Sequence, residues 1–283
     1  MTTSDLEREL RLVLGRNSHE VGFEYRKSQS PNPKYLDEVC AVGFDTNALK
    51  SYRYDGAVNA ETDLLSLADM NIKTILPGQV FTEFWNNHRI FTEASLKEGK
   101  QHAVKLRKLI EDYGLNDRLD IDFDAVIAAI ENLIKPPGGD ESVVSLSKSE
   151  QVSDVFTDNC SVPFVSRDDF YSIAQSRLNS KAPPGFDDIS DKKYALGDFF
   201  VWADLLLGLR AANIDKDAIG ERRHAIFVTN EKKDDWLSGG KLHPVLQREC
   251  FIYTGLQLTV LNTGNLKKLM KARKPAGEQN SVN

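Results

Sequence analysis

Four short apolar stretches, separated by segments with helical patterns, constrain the fold of this chain more than any other feature. They cover residues 38–45, 72–76, 225–229 and 256–261. Each stretch has the length and apolar character of a buried strand. Strands that alternate with helices are typical of an α/β fold. We therefore predict a mostly parallel central sheet flanked by helices.

The segments around these strands predict the domain organisation. Residues 1–37 contain a short amphipathic helical pattern followed by a proline-containing linker. Residues 38–283 are predicted to form one domain. A helical insertion is expected at about 95–180, where no acid is placed like those that follow the strands, so this part would shape substrate access without supplying a ligand. Within it, residues 138–161 are rich in Ser, Asp and Gly and predict a long loop.

Composition excludes several functional classes. The net charge of −6 argues against a protein that coats nucleic acid by bulk charge, although it leaves room for a local basic groove. Cys40, Cys160 and Cys250 are too widely spaced for a CxxC zinc site or a disulfide framework, which favours a reducing cytoplasm. No apolar run approaches the ~20 residues of a membrane span. The N-terminus lacks the apolar region of a signal peptide. We predict a cytoplasmic protein with no membrane partner.

The residues that remain available for chemistry are acids beside the predicted strands and helix starts. No GxGxxG, GxxxxGK[ST], HExxH or GxSxG motif is present, and the five His residues have no ligand spacing. Asp45 ends the first strand, and Glu83 lies in the first turns of the helix after the second strand. Asp198 opens an almost wholly apolar helix. Glu231 and Asp234 follow the third strand.

These positions predict that the acids meet. In a parallel sheet, the carboxyl ends of the strands and the N-termini of the following helices share one edge, and ligands bind there. Clustered carboxylates repel one another and are costly to desolvate unless a cation lies among them. Oxygen ligands select Mg²⁺ or Mn²⁺. Such ions orient a water and offset charge on a phosphodiester during hydrolysis.

Three groups of residues resemble the motifs of PIN-domain nucleases. Residues 44–49 (FDTNAL) are similar to the opening motif of that family. Residues 76–84 (LPGQVFTEF) are similar to the second motif, in which a Glu on a helix binds metal. The third group resembles a bacterial PIN-like branch with a large helical insertion and comprises PPGF at 183–186, Gly197-Asp198 with Trp202, and FVTNEKKDDW at 227–236. The resemblance covers about residues 38–95 and 180–262.

The resemblance implies a set of metal-binding and catalytic acids. Asp45, Glu83 and Asp198 are expected to bind Mg²⁺ or Mn²⁺, with Glu231 as the fourth metal ligand. Glu231 departs from the family pattern, which usually has Asp at this place, so Asp234 is the alternative fourth residue. All five acids are predicted to be catalytic. Four neighbouring polar residues are expected to orient the acids or a metal-bound water: Thr46, Asn47, Thr229 and Asn230.

Each of these residues also has a simpler interpretation. Asp45 and Asp198 stand where Asp favours helix N-caps. Glu83 fits a surface helix acid, and the charged turn with Glu231 and Asp234 fits a solvated loop. The small polar residues beside them fit local turn hydrogen bonds. The large aromatic residues of the third motif group are expected to belong to the core rather than to stack on bases: Phe199, Phe200, Trp202 and Trp236.

The function implied by the resemblance is a metal-dependent nuclease that hydrolyses single-stranded or structured RNA. It further implies a bacterial toxin or an anti-phage defence effector, with an inhibitory or activating protein partner. RNA is the preferred substrate over DNA, and homo-oligomer formation stays open. Two alternatives remain. One is a nuclease for DNA flaps or single strands, and the other is a non-catalytic PIN-like module that binds RNA or protein.

Overall fold

The computed structural model describes residues 2–16, 33–114, 122, 125, 141–186, 196–214, 222–230 and 233–272. The chain divides into two compact units. The first comprises Met1–Glu83 and Val152–Asn283, and the second comprises Phe84–Gln151. Within the predicted insertion, residues 115–140 lie outside the described residues, apart from Asp122 and Ala125. No helix in the described part of the chain is both long and apolar enough to cross a membrane.

A parallel sheet forms the centre of the first unit. Its strands are β1 (Val39–Phe44), β2 (Lys73–Ile75), β3 (His224–Val228) and β6 (Gln257–Leu261). Strands β4 (Leu237–Ser238) and β5 (Lys241–Leu242) form a separate short antiparallel hairpin. The order across the sheet is β2-β1-β3-β6, and all three pairings are parallel. Every residue of β1 is buried, as expected for a central strand covered on both faces. The predicted α/β fold is confirmed.

Helices of the first unit flank this sheet. The helices of the described residues are, in chain order, α1 (Thr3–Leu14), α2 (Thr46–Asp55), α3 (Ala57–Asp69), α4 (Gly78–Asp112), α5 (Glu141–Asn159), α6 (Arg167–Asn179), α7 (Gly197–Ile214), α8 (Pro244–Thr254) and α9 (Thr263–Lys271). Every residue of α7 from Phe199 to Leu209 is buried, because this apolar helix contacts β1, β2, α1 and α8. The expected core position of Phe199, Phe200, Trp202 and Trp236 is confirmed.

The loop predicted at 138–161 is wrong, because α5 occupies most of it. The Ser and Asp content of this stretch obscured an apolar pair one helical turn apart, Val152 and Phe156, both of which are buried. The Phe156 ring packs against Phe44 at 5.1 Å and against Tyr52 at 5.5 Å, measured between ring centroids. Tertiary packing of this face therefore favours a helix despite the polar composition.

The N-terminal helix α1 is packed against the first unit. Leu6, Leu10 and Leu14 are buried, and the Tyr253 hydroxyl donates to the Leu6 carbonyl at 2.9 Å. Arg177 donates to the Leu14 carbonyl at 3.1 Å. Helix α1 therefore contributes directly to the core that supports the sheet.

Candidate functional site

The candidate site lies where the central strands β1 and β3 end. The chain leaves β1 towards β2 on one side of the sheet and leaves β3 towards β6 on the other. Such a topological switch point is where open α/β sheets bind ligands. Asp45 directly follows β1, and Thr229 directly follows β3. Backbone pairing continues to this point, because the Asp45 N–H donates to the Val228 carbonyl at 3.0 Å.

The Asp45 carboxylate is held from both strand ends. The Thr229 hydroxyl donates to Asp45 Oδ2 at 2.6 Å, and the Asn47 side-chain amide donates to the same oxygen at 3.4 Å. Asp45 occupies the N-cap position of α2, but its side chain makes no capping hydrogen bond. Helix capping therefore does not account for this acid, and Thr229 and Asn47 orient it as two of the predicted supporting residues.

Glu83 reaches the same region from the start of α4. The Thr46 hydroxyl donates to Glu83 Oε2 at 2.9 Å, and the Gln79 side-chain amide donates to Oε1 at 3.2 Å. Burial raises the pKa of Glu83, and the negative charge of Asp45 raises that pKa further. Thr46 directly follows Asp45 in the chain, so two adjacent residues act on Glu83: Thr46 through a hydrogen bond and Asp45 through its charge. The electrostatic arrangement favours a cation beside this pair of carboxylates.

Helix α7 begins close to Glu83 because its first residue is Gly197. A Cβ at this position would lie 2.6 Å from Glu83 Oε1, so a larger residue here would displace the Glu83 carboxylate from its present position. The next residue is Asp198, so the start of α7 brings a third predicted acid towards the pair.

Lys233 provides a positive charge among these acids. Its Nζ lies 3.3 Å from Asp198 Oδ2, and its charge also lowers the pKa of Glu83. The Lys233 and Asp198 side chains are 32% and 20% exposed, so their ion pair contributes at most about 1 kcal/mol to stability. A contact this weak can be exchanged for another cation at little cost.

The remaining predicted residues have different surroundings. Asn230 is exposed and donates to the Ser51 hydroxyl at 3.0 Å. Asp234 is exposed, whereas its neighbour Asp235 is buried and accepts from the Gly185 N–H at 2.7 Å. Glu231 lies outside the described residues. The fourth acid of the site is therefore still a prediction.

Sequence reasoning missed a buried acid behind the site. Asp204 is fully buried in α7 and accepts hydrogen bonds from the backbone N–H groups of Gln79 and Val165, each at 2.8 Å. The Arg167 guanidinium donates to both Asp204 oxygens at 2.9 Å. An Asp in the middle of the apolar run FFVWADLLLG was an available signal, since a buried charge needs a partner.

The Asp204 network extends to Glu83. Arg167 Nη2 donates to the Gln79 side-chain oxygen at 3.3 Å, and the Gln79 amide nitrogen donates to Glu83. Asp204 also fixes the Gln79 backbone in the first turn of α4. This chain of contacts positions Glu83 from the side of the helix start.

The donor chemistry of the site fits a hard divalent cation, because its available ligands are carboxylate and hydroxyl oxygens around a raised-pKa carboxyl. Among the described residues, which exclude Glu231, no group of three or more His, Cys, Asp or Glu side chains is arranged to hold a metal ion. In the described geometry, Thr46, which follows Asp45, bonds Glu83, while Asp198 pairs with Lys233. Convergence of all three acids on one ion therefore stays a prediction.

Comparison with known proteins bears on the family. A family model described as a PIN-like domain matches residues 142–248, which confirms the predicted resemblance to PIN-domain proteins over this part of the chain. The match includes Asp198 and the strand β3, and it begins inside the stretch predicted as an insertion. No curated protein and no solved structure matches the chain.

Proposed function

We propose, from the PIN-like domain that this chain carries, that it is a metal-dependent nuclease that hydrolyses single-stranded or structured RNA. PIN domains are generally metal-dependent nucleases. The observation that carries the proposal is the position of Asp45 and Glu83 at the switch point of the sheet, where Thr46, the residue after Asp45, donates to Glu83 at 2.9 Å. When bound, a divalent cation supplies charge neutralisation and water activation to phosphodiester hydrolysis.

The residues of this chain have distinct roles in the proposal. Asp45, Glu83 and Asp198 hold the cation, with Glu231 or Asp234 as the fourth acid. The Thr229 hydroxyl donates to Asp45 and the Thr46 hydroxyl donates to Glu83, and these bonds fix the orientation of the two carboxylates. The hydrogen bonds from Gln79 and Thr46 lower the pKa of Glu83 and oppose the effect of burial, so these two residues help to keep the acid available to a cation.

Lys233 has a second role in the proposal. In the absence of a divalent cation its ammonium group balances Asp198. Asp198 would serve as a ligand of a bound divalent cation, and Lys233 at the edge of the site would then be available to attract a substrate phosphate.

The biological setting in the proposal rests on the resemblance to bacterial PIN-like proteins. In this setting the protein is a cytoplasmic toxin or an anti-phage defence effector. A protein partner then inhibits or activates the nuclease. Two alternatives remain: cleavage of DNA flaps or single strands, and binding without cleavage. The experiments below distinguish both from RNA hydrolysis.

Asp198→Asn tests the proposal at its third acid. The change keeps the size of the side chain but removes its charge, so we expect Mn²⁺-dependent RNA cleavage to fall at least ~10²-fold. The melting temperature without metal should stay almost unchanged, because the exposed ion pair with Lys233 contributes at most about 1 kcal/mol. The increase in melting temperature caused by Mn²⁺ should shrink. These two quantities are measured by cleavage of labelled RNA and by thermal unfolding.

Lys233→Met is the matched control, because it breaks the same ion pair from the other side. If Asp198 serves only to bind Lys233, the two variants behave alike. If Asp198 holds the cation, Lys233→Met keeps the stabilisation by Mn²⁺ and loses mainly affinity for RNA. An Asp198→Asn protein with wild-type cleavage and an unaltered response to Mn²⁺ removes Asp198 from the site.

A further inference from the structure

An exposed aromatic ring lies beside the start of α4. Phe164 is 53% exposed, although the aromatic residues of α7 are buried in the core. The guanidinium carbon of Arg167 lies 3.7 Å from the centroid of the Phe164 ring and 4.4 Å from that of Phe200. The guanidinium is therefore held between a buried ring and an exposed one.

Several contacts fix the Phe164 ring in place. Asp204 binds Arg167 through both carboxylate oxygens and also accepts from the N–H of Val165. The carbonyl of Pro163 accepts from the Gly78 N–H at 2.9 Å. The ring of Phe164 lies where a Cβ of Gly78 would stand. Backbone and side-chain contacts thus hold an apolar ring at the surface. Because the ring is already ordered, binding a ligand costs little side-chain conformational entropy.

The same contacts connect this ring to the candidate site. Arg167 donates to Gln79 at 3.3 Å, and Gln79 donates to Glu83 at 3.2 Å. The path from the ring to a predicted metal ligand therefore contains two intervening side chains. Arg167 also brings positive charge to this position, partly balanced by Asp204. A flat apolar surface and a guanidinium next to a phosphodiesterase site are the groups that hold unpaired bases.

We propose that Phe164, backed by Arg167, is a stacking subsite for a nucleobase of single-stranded RNA. This inference rests on the proposed nuclease function and names the part of the substrate that this surface recognises. A base stacked on Phe164 holds the strand next to the carboxylates while the sugar–phosphate backbone enters the site. The subsite tolerates any base, since every base presents a π face. It selects against duplex RNA, whose bases are already stacked on one another.

The test measures binding separately from cleavage. Fluorescence anisotropy in EDTA compares a labelled octa-adenylate RNA with the same ribose–phosphate octamer that lacks its bases. We expect wild-type protein to prefer the intact octamer, and Phe164→Ala to weaken its binding about 10-fold. Binding of the octamer without bases should be equal in the two proteins. Phe164→Trp should retain the preference, whereas Phe164→Leu, which stays apolar but has no π face, should lose most of it.

Tyr54→Ala is the matched control, because Tyr54 is an aromatic residue with a similar exposure of 51% at the far end of α2. It should leave the preference for bases intact. Thermal unfolding of each variant separates loss of the subsite from loss of the fold. Binding of a labelled octa-deoxyadenylate, measured in the same way, tests whether the ribose contributes to binding. Binding of DNA without binding of RNA overturns the RNA assignment.

Three results overturn the subsite: equal preference for bases in wild type and Phe164→Ala, no binding of either RNA octamer by the wild type, or a change in self-association of Phe164→Ala with unchanged RNA binding. The test distinguishes failure of the subsite from failure of the nuclease proposal. Base binding that depends on Phe164 in a protein without Mn²⁺-dependent cleavage supports the subsite and removes the nuclease. Mn²⁺-dependent cleavage in a protein whose base binding does not depend on Phe164 supports the nuclease and removes the subsite.

Discussion

Asp45→Asn should lower Mn²⁺-dependent RNA cleavage about 10³-fold, because the loss of about 4 kcal/mol of transition-state stabilisation corresponds to that factor. The side-chain carbonyl of Asn still accepts from the Thr229 hydroxyl that bonds Asp45 at 2.6 Å, so the local structure should persist. The charge of Asp45 raises the pKa of Glu83, and its removal relieves that repulsion. The metal-free variant should therefore be as stable as the wild type or slightly more so. Single-turnover cleavage and thermal unfolding measure the two effects.

The control for this variant is Asp37→Asn. Asp37 is exposed and precedes β1, so it lies at the opposite end of the same strand from Asp45. Cleavage by this control should be within a few-fold of the wild type. If Asp45→Asn instead cleaves RNA as fast as Asp37→Asn does, the acid after β1 has no part in the chemistry and the site assignment is wrong.

Glu249→Ala should lower the free energy of unfolding by about 3–5 kcal/mol, because it leaves a buried guanidinium without its counter-ion. Glu249 Oε1 lies 2.6 Å from Arg177 Nη1, and the Trp202 indole donates to Oε2 at 2.9 Å. The Arg177 and Glu249 side chains are only 7% and 2% exposed. Arg177 also donates to backbone carbonyls of Leu14 and Pro183, so one ion pair ties α1, α6 and α8 together. We expect the melting temperature to fall by roughly 10 °C.

Asp169→Ala is the control for the buried pair. Asp169 forms an exposed ion pair with Arg11 at 3.6 Å, and its loss should cost at most about 1 kcal/mol. Thermal unfolding of both variants at the same pH makes the comparison. A Glu249→Ala protein that melts within 2–3 °C of Asp169→Ala, where each kcal/mol corresponds to roughly 2–4 °C, contradicts the importance of the buried pair.

The strands of the sheet were predictable because strands buried on both faces consist almost entirely of apolar residues. Residues 39–44 are buried throughout and read as one apolar run. The hairpin β4–β5 was missed because each strand has only two residues. Gly239-Gly240 between them is a hairpin turn signal that sequence reasoning did not use. Helix α5 was missed for a different reason, since the burial of Phe156 depends on contacts with the distant β1 and α2.

The site was predictable only in part. The rule that parallel strands end at one edge was enough to propose Asp45 and Glu83 as neighbours. The bond from Thr229 to Asp45 follows from the pairing of β1 with β3, which separates the two residues by 184 positions in the chain. The charge of Lys233 looked like part of a solvated turn, because its pairing with Asp198 exists only after folding.

The subsite beside the carboxylates illustrates the same limit. Phe164 and Arg167 show no motif in the sequence, and their stacking depends on Asp204, which is 37 residues from Arg167. Asp204 itself was visible as a charge inside an apolar run, but its partner was not. Local patterns identify a buried charge, whereas only the tertiary structure identifies the group that balances it.

Cleavage of a labelled single-stranded RNA by the wild-type protein, with Mn²⁺ and with EDTA, tests the nuclease proposal most directly. A single-stranded DNA of the same sequence accompanies it. The account predicts that RNA is cut in Mn²⁺, that EDTA abolishes cleavage, that added Mn²⁺ restores it, and that DNA is cut more slowly. Absence of cleavage of both RNA and DNA in Mn²⁺, or cleavage of RNA at the same rate in EDTA, would contradict it.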